Sequence, residues 1–423
     1  MKKQKLIIGI DLTNEYCQAC YYSYKHKQPE SVATGSAAAR YTFPVAISYS
    51  SEREEWVIGG EAIHNGEAFS CRVYDNLLKG LFAGAVAEIG GKSYGYEKLL
   101  AVFFGKLLEL IQIRSGLMAI ESINLTLKTV DAASKRALAS VFEALGIEES
   151  KITFLNNAEC FAYYTLNEDE KLWSDGALLF DFGKEGFFEK RLTVSGSRSE
   201  PLFYIGEKDY SPDFSVKDLG SELLREQLDA RLLEIYRRSG IEGENTSVYF
   251  AGEGFSEYWF SKTLEEISKT RRAFKGNNIY VKGACLAGVI RFYNGGKDYP
   301  IICRGRTRAS ISVTAKGAYE EEIELSGAAK DWYDASGETV LMLEGEKKAE
   351  VSVRSLSSGE RSVLDFDLSD FPDRERGTTR VLVRVHYINE NECEISMKDL
   401  GFGAFYPPSG VEVIKRLDLG GYI

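Results

Sequence analysis

Apolar residues fall in short runs along this chain, and the first run is broken by a single aspartate. LIIGIDL reads as a buried strand, the polar residues after it as a turn, and YCQACYYSY as a second strand. ALLFDFGKEGFFEKRLTVSGS later repeats that order: apolar strand, aspartate, small polar turn, strand. The aspartates are Asp11 and Asp181. A strand-turn-strand unit that recurs predicts a fold of two similar halves. After the first hairpin, PVAISYS and EWVIGGEAI predict strands. YEKLLAVFFGKLLELIQI has apolar positions at helical spacing, and SINLTLKTV is rich in strand formers. DAASKRALASVFEALGI predicts a helix with Asp131 as N-cap and Gly146 past its end. ITFLN predicts a strand and NAECFAYYTL a helix.

The second half follows the same logic. KDLGSELLREQLDARLLEIYRRSG predicts a helix closed by Gly240. SVYFAGEG predicts a strand running into a glycine turn, with FSEYWFSKTLEEISKT as a helix directly after it. NNIYVKGACLAGVIRFY predicts a short strand, then Gly283, then a helix. This alternation implies mixed α/β layers. Near 295–305 the composition shifts, and YNGGKDYPIICRGRTR reads as a joint. Beyond it about seven short segments alternate at period two between turn residues, from ASISVTAKG to ECEISMKDL, which predicts a β-sandwich or barrel. FGAFYPPSG in the tail reads as an aromatic contact loop or as buried turn packing.

Charge narrows the partners. With 52 basic and 63 acidic residues the net charge is −11, which excludes nucleic acid and anionic membranes as main electrostatic partners. Asp11 interrupts the N-terminal apolar run too early for a secretory leader, and no run is long enough to span a membrane. Seven cysteines in an odd count fit reduced, cytosolic usage. Cys17 and Cys20 form a CxxC, but in a strand their offset puts them on opposite faces.

The turns carry the candidate chemistry. A tight turn presents backbone N–H groups to an anion, and an aspartate beside it can hold the water shell of a magnesium ion. Two such hairpins facing each other could grip a di- or triphosphate. The third element is Ala251-Gly252-Glu253-Gly254, where glycine permits close backbone approach and a following helix start offers N–H groups.

These segments resemble motifs of the actin/Hsp70/sugar-kinase ATPase superfamily. IIGIDLTNE is similar to its first phosphate motif, LLFDFGKEG to its second and VYFAGEGFS to its adenosine motif. FLNNAECFAYYTL and IYVKGACLAGVI resemble its two connecting helices. The five occur in family order, and the trailing β-region makes Hsp70 the nearest likeness. The resemblance implies a bilobed, actin-like (duplicated ribonuclease H-like) ATPase module, with lobes at 1–172 and 173–297, followed by an all-β sandwich at 298–423. It implies ATP or ADP with magnesium in the cleft. Asp11 and Asp181 would then stand by the metal and the attacking water. Thr13 and Asn14 would face the phosphates from one side and Gly183 from the other. Gly252, Gly254 and Gly283 would complete the nucleotide site. A family lysine that reaches the γ-phosphate is matched to Lys79 in YDNLLKGLF.

The departures bear on activity. After the first aspartate Hsp70 has a glycine and paired threonines, where this chain has Leu12-Thr13-Asn14-Glu15 with a glutamate that would repel phosphate, and Gly183-Lys184-Glu185-Gly186 replaces three glycines and a threonine. The carboxylate that places the attacking water becomes Asn157, which can bind water but cannot act as a base. Glu159, two residues on along a helix, would point elsewhere. The expectation is an Hsp70/actin-like protein with weak or structural nucleotide binding, slow or absent hydrolysis, and a β-domain that contacts a protein partner. An active chaperone-type ATPase and an actin-like filament or scaffold are the alternatives.

Overall fold

The computed structural model describes residues 4–33, 41–50, 55–69, 71–89, 91–197, 201–296, 298–316, 320–344 and 347–421. The charged start at 1–3 and Lys297 of the expected joint lie outside them. The chain is mixed α/β with several sheets and a strand-rich C-terminal part. It divides into two compact units. The first holds residues 1–194 and 205–299, the second 195–204 and 300–423.

Two sheets of the first unit share one topology. In the first the order is Ile152–Asn156, Ile120–Leu127, Leu6–Leu12, Tyr16–Ser23, Gln28–Ser31. In the second the matching four run Arg272–Lys275, Ser247–Ala251, Ala177–Gly183, Gly186–Gly196. Each is a hairpin whose first strand also pairs in parallel with a later strand, which pairs in parallel with the next. The repeat visible around Asp11 and Asp181 is therefore a repeat of strand order as well.

Leu6–Leu12 is buried along its whole length because both faces are covered. Leu6, Ile8, Ile10 and Leu12 join a core with the helices Tyr96–Ser115 and Ala132–Glu143. Ile7 joins Cys20, Val281 and Cys285 on the other face, while Cys17 sits in the first core. The CxxC is thus split between two faces, and all seven cysteines are free thiols. Asp131 caps its helix with a reciprocal Ser134 capping box.

The helices Asn157–Leu166 and Ile279–Tyr293 cross at Gly283, where an added Cβ would lie 1.9 Å from the Cys160 carbonyl oxygen. At Gly9 it would lie 2.2 Å from the Val281 oxygen. Backbone cannot give way as a side-chain tip can. Gly283→Val is therefore expected to cost about 3 kcal/mol, lowering the melting temperature by roughly 6–10 °C. An unchanged melting curve would refute this close crossing.

Four expectations need correction. EWVIGGEAI is not all strand: Glu55–Ile58 is, and the helix Gly59–Phe69 follows. NNIYVKGACLAGVIRFY contains no strand; Ile279–Tyr293 is one helix, since burial of Ile279, Tyr280 and Val281 overrides their β-propensity. No helix starts directly at the Gly252 turn. A single 3₁₀ turn, Glu253–Phe255, is followed by irregular chain, and the helix begins at Ser261. Phe255, Trp259 and Phe260 are drawn into a cluster with Phe182 and Phe250, and Trp259 donates to the Gly254 carbonyl. Asp229 of the helix Glu222–Arg238 then caps the delayed start through the N–H groups of Lys262 and Thr263. Finally, Arg272–Lys275 and Pro201–Asp209 are strands that the pattern did not predict.

The second unit contains two four-stranded antiparallel sheets. Their orders are Glu320–Ser326, Ala309–Lys316, Lys348–Ser355, Arg361–Asp367, and Gly337–Leu343, Thr379–Asn389, Glu392–Gly401, Glu412–Asp418. Inward residues of both, among them Ile311, Val353, Val383 and Ile395, form one core. Phe203 and Tyr204 pair in parallel with Ile301 and Ile302, so the expected joint holds a short strand.

Candidate functional site

Strand register places the two aspartates. Asp11 lies opposite Gln18 in its hairpin and beside Thr126 in the parallel strand. Asp181 lies opposite Phe188 and beside Ala251. The fold brings the two carboxylates together. Burial pushes the Asp11 carboxyl up to about 7, with the negative charges of Asp181 and then Glu185 adding to it. The Tyr16 phenol, on a residue that keeps 37% of its surface exposed, is pushed up by desolvation and then by the charges of Asp11, Asp181, Glu185 and Glu253. The field here is that of an acidic cluster.

A buried lysine balances Asp181. Lys190 Nζ stands 3.7 Å from Asp181 and 3.3 Å from Glu207, with its side chain 5% exposed. It lies over the Tyr280 ring at 5.5 Å. Tyr280 donates its hydroxyl to Asp181 at 2.5 Å, and its own ionisation is pushed far up by burial and then by Asp181. Neither Lys190 nor Tyr280 was a candidate from the sequence. Lys190 sits in the polar-looking run FFEKRL, and Tyr280 was hidden by the strand reading of IYV. A buried-type hairpin strand carrying Glu189 and Lys190 side by side is the one signal that could have pointed to it.

The two turns face each other, linked by Lys184 Nζ to Glu15 at 3.0 Å. Lys128 holds Glu185 at 3.2 Å and lies 4.3 Å over the Phe188 ring. In the first turn the Thr13 hydroxyl accepts from the N–H groups of Glu15 and Tyr16, and the Thr13 N–H donates to the Tyr16 carbonyl. Those donors are engaged within the turn. Asn14 is exposed at its tip. Gly183 pairs with Gly186 across Lys184 and Glu185.

The remaining candidates are placed as follows. Asn157 accepts from the Thr126 hydroxyl at 2.9 Å, which ties it to the neighbour of Asp11. Glu159 turns away and caps its own helix through the Asn156 N–H. Gly252 has φ +93°, and its N–H donates to Asn277. Gly254 is packed against the Phe182 ring, and Gly283 lies in the helix crossing. Lys79 is exposed on the short helix Leu77–Phe82, and among the described residues the cation at Asp181 is Lys190 in its place.

A hydrated magnesium triphosphate would have to displace several existing pairs here. Asp181 already has an ammonium partner, the first turn engages its own donors, and Glu15 and Glu185 stand on the turns where phosphate would lie. Among the described residues no three carboxylate, histidine or cysteine side chains are grouped to hold a metal ion. Residues 28–305 match the family described as "Family of unknown function (DUF5716) C-terminal". The chain belongs to this family. Residues 306–419 match the "Domain of unknown function (DUF8552)". No curated protein matches the chain. In this DUF5716 chain the Asp11–Asp181 site lies inside unit-one sequence, in the first hairpin before residue 28 and in the second within the matched segment. No helix among the described residues is long and apolar enough to cross a membrane.

Proposed function

We propose that this DUF5716 chain is an actin/Hsp70-like binding protein in which adenine nucleotide plays a weak or structural part and phosphoryl transfer is lost. Its strand-rich second unit would contact a protein partner. The two sheets of equal topology, with an aspartate at each hairpin turn, support a duplicated ribonuclease H-like, bilobed module. The Glu15–Lys184 bridge across the facing turns carries the reading. An exposed ion pair is weakly held and screened by salt, so nucleotide can displace it. The acidic turns and the missing water-placing carboxylate oppose tight grip and fast hydrolysis. Six buried thiols and one half-buried one fit a reducing, cytoplasmic setting.

Thermal unfolding with magnesium-ATP and with ADP tests this. At millimolar nucleotide a rise of about 1 kcal/mol, roughly 2–4 °C, is expected. Phosphate release is expected to stay at background and to be the same in Asp11→Ala and Asp181→Ala. Release that falls in both variants would establish a working ATPase. No thermal shift would remove nucleotide from the account.

A further inference from the structure

We propose that a cleft at one end of the second unit binds a short peptide in which an aromatic side chain stands beside a carboxylate. The inference rests on the reading of this unit as the partner-binding part and gives that partner a chemistry.

The cleft, of about 580 Å³, is lined by Thr378, Arg380, Phe402, Ala404, Phe405 and Tyr406, within the size range of side-chain and small-ligand pockets. Phe405 is 93% exposed and Phe402 42%. Scattered apolar residues on a surface need no explanation, but two phenyl rings on the rim of one apolar cleft do.

The loop that carries them is tied at both ends. Arg374 grips Asp399 through two bonds, at 2.6 and 2.8 Å, and donates to the Pro407 carbonyl at 2.8 Å. Asp399 also accepts from the N–H groups of Gly401 at 2.9 Å and Ser409 at 2.8 Å. One buried carboxylate therefore ties both ends of the loop. Within it the Phe402 N–H donates to the Tyr406 carbonyl at 2.6 Å, and Gly401 and Gly403 take left-handed backbone. A partner meets a loop backbone already tied at both ends, which reduces the ordering that binding must supply.

Charge selects the partner. Neighbouring arginines are paired: Arg374 with Asp399, Arg376 with Glu344, Arg384 with Glu338. Arg380, on the cleft wall, is exposed and donates Nε to the Gly401 carbonyl at 3.3 Å. Among the described residues no carboxylate pairs with it. Its guanidinium fork is complementary to a carboxylate, and it stands exposed on a chain of net charge −11. An aromatic side chain between Phe402 and Phe405 with a carboxylate on Arg380 satisfies both features.

Anisotropy of fluorescein-labelled peptides on the full chain tests the proposal. The probes are Gly-Ser-Glu-Phe-Glu-Ser-Gly, the same peptide with lysines for the glutamates, and one with alanine for the phenylalanine. The first is expected to bind at least about tenfold tighter than the others. Phe405→Ala should weaken it about tenfold, and Arg380→Glu should switch the preference to the lysine peptide. Both positions are exposed, so the melting curve should match wild type, and the switched preference cannot come from misfolding. Equal binding to wild type and both variants, or no binding of the first peptide, overturns the proposal. A random-peptide display selection run in parallel separates the two levels. Binders of the second unit that survive both substitutions overturn this cleft alone, whereas a selection that yields no binder of that unit overturns the docking reading with it.

Discussion

Asp11→Asn is expected to stabilise the protein above pH 7 by several kcal/mol while leaving it unchanged below pH 4. Asp11 is 4% exposed and faces the charges of Asp181 and Glu185. Its folded-state value of about 7 against an ordinary 3.8 means that the folded chain keeps a proton which the unfolded chain has released. This contribution to stability is full below 3.8, declines as pH rises to about 7, and is gone above that. The difference corresponds to on the order of 4 kcal/mol. The Gln18 side-chain oxygen, in the residue opposite in register, is buried without a partner among the described residues, and it suits the neutral acid as an acceptor. Denaturant unfolding of wild type and variant between pH 4 and 8 checks this. Parallel profiles would show that Asp11 is ionised in the fold. Stabilisation of wild type by millimolar magnesium at pH 8, absent from the variant, would place a cation at the aspartate pair and revive the catalytic alternative.

That site was legible in part. The repeated hairpin gave Asp11 and Asp181 because a strand-turn-strand unit is local and its aspartate interrupts an apolar run. Glu159 could be discounted from helix geometry alone, and the structure has it capping its own helix. The contacts that come from far along the chain could not be found the same way. Tyr280 reaches Asp181 across 99 positions of sequence, and Lys184 reaches Glu15 across 169. Contacts of that range follow from sheet order and helix crossing, which no local pattern encodes.

The fold divides along the same line. Period-two alternation marked the strands of the second unit because one face of each is buried and the other is not. Asp131 was readable as a cap because the capping box spans four consecutive residues. The stretch from Gly252 to Phe260 was misread because its aromatic residues mimic helical spacing while packing as a tertiary cluster. Ile279 to Val281 was misread because β-branched and aromatic residues favour strands until burial between two layers decides otherwise.

Removing one partner of the Arg374–Asp399 pair is expected to cost the second unit about 3–5 kcal/mol, enough to lower its melting temperature by roughly 10 °C or more. The Arg374 side chain is 6% exposed and the Asp399 side chain fully buried. Burial of Asp399 works against its ionisation. Hydrogen bonds from Arg374, Ser409 and Gly401 more than offset this and hold its carboxyl well below the usual range. Stability from this group is therefore present above about pH 4 and is lost as pH falls below it. Asp399→Asn should flatten that acid limb while leaving a buried guanidinium half-paired, so the loss appears at neutral pH instead. Arg374→Met should do comparable harm by stranding the carboxylate. The double variant Arg374→Met/Asp399→Leu should recover much of either loss, because no buried charge is left alone. Single and double losses that simply add would mean that the two groups act independently. Hydrogen exchange at Gly401 and Ser409 reports the local consequence. Their amides donate to Asp399, so both should exchange faster in Asp399→Asn than the amides of the strand Thr379–Asn389, as expected if this carboxylate holds the aromatic loop.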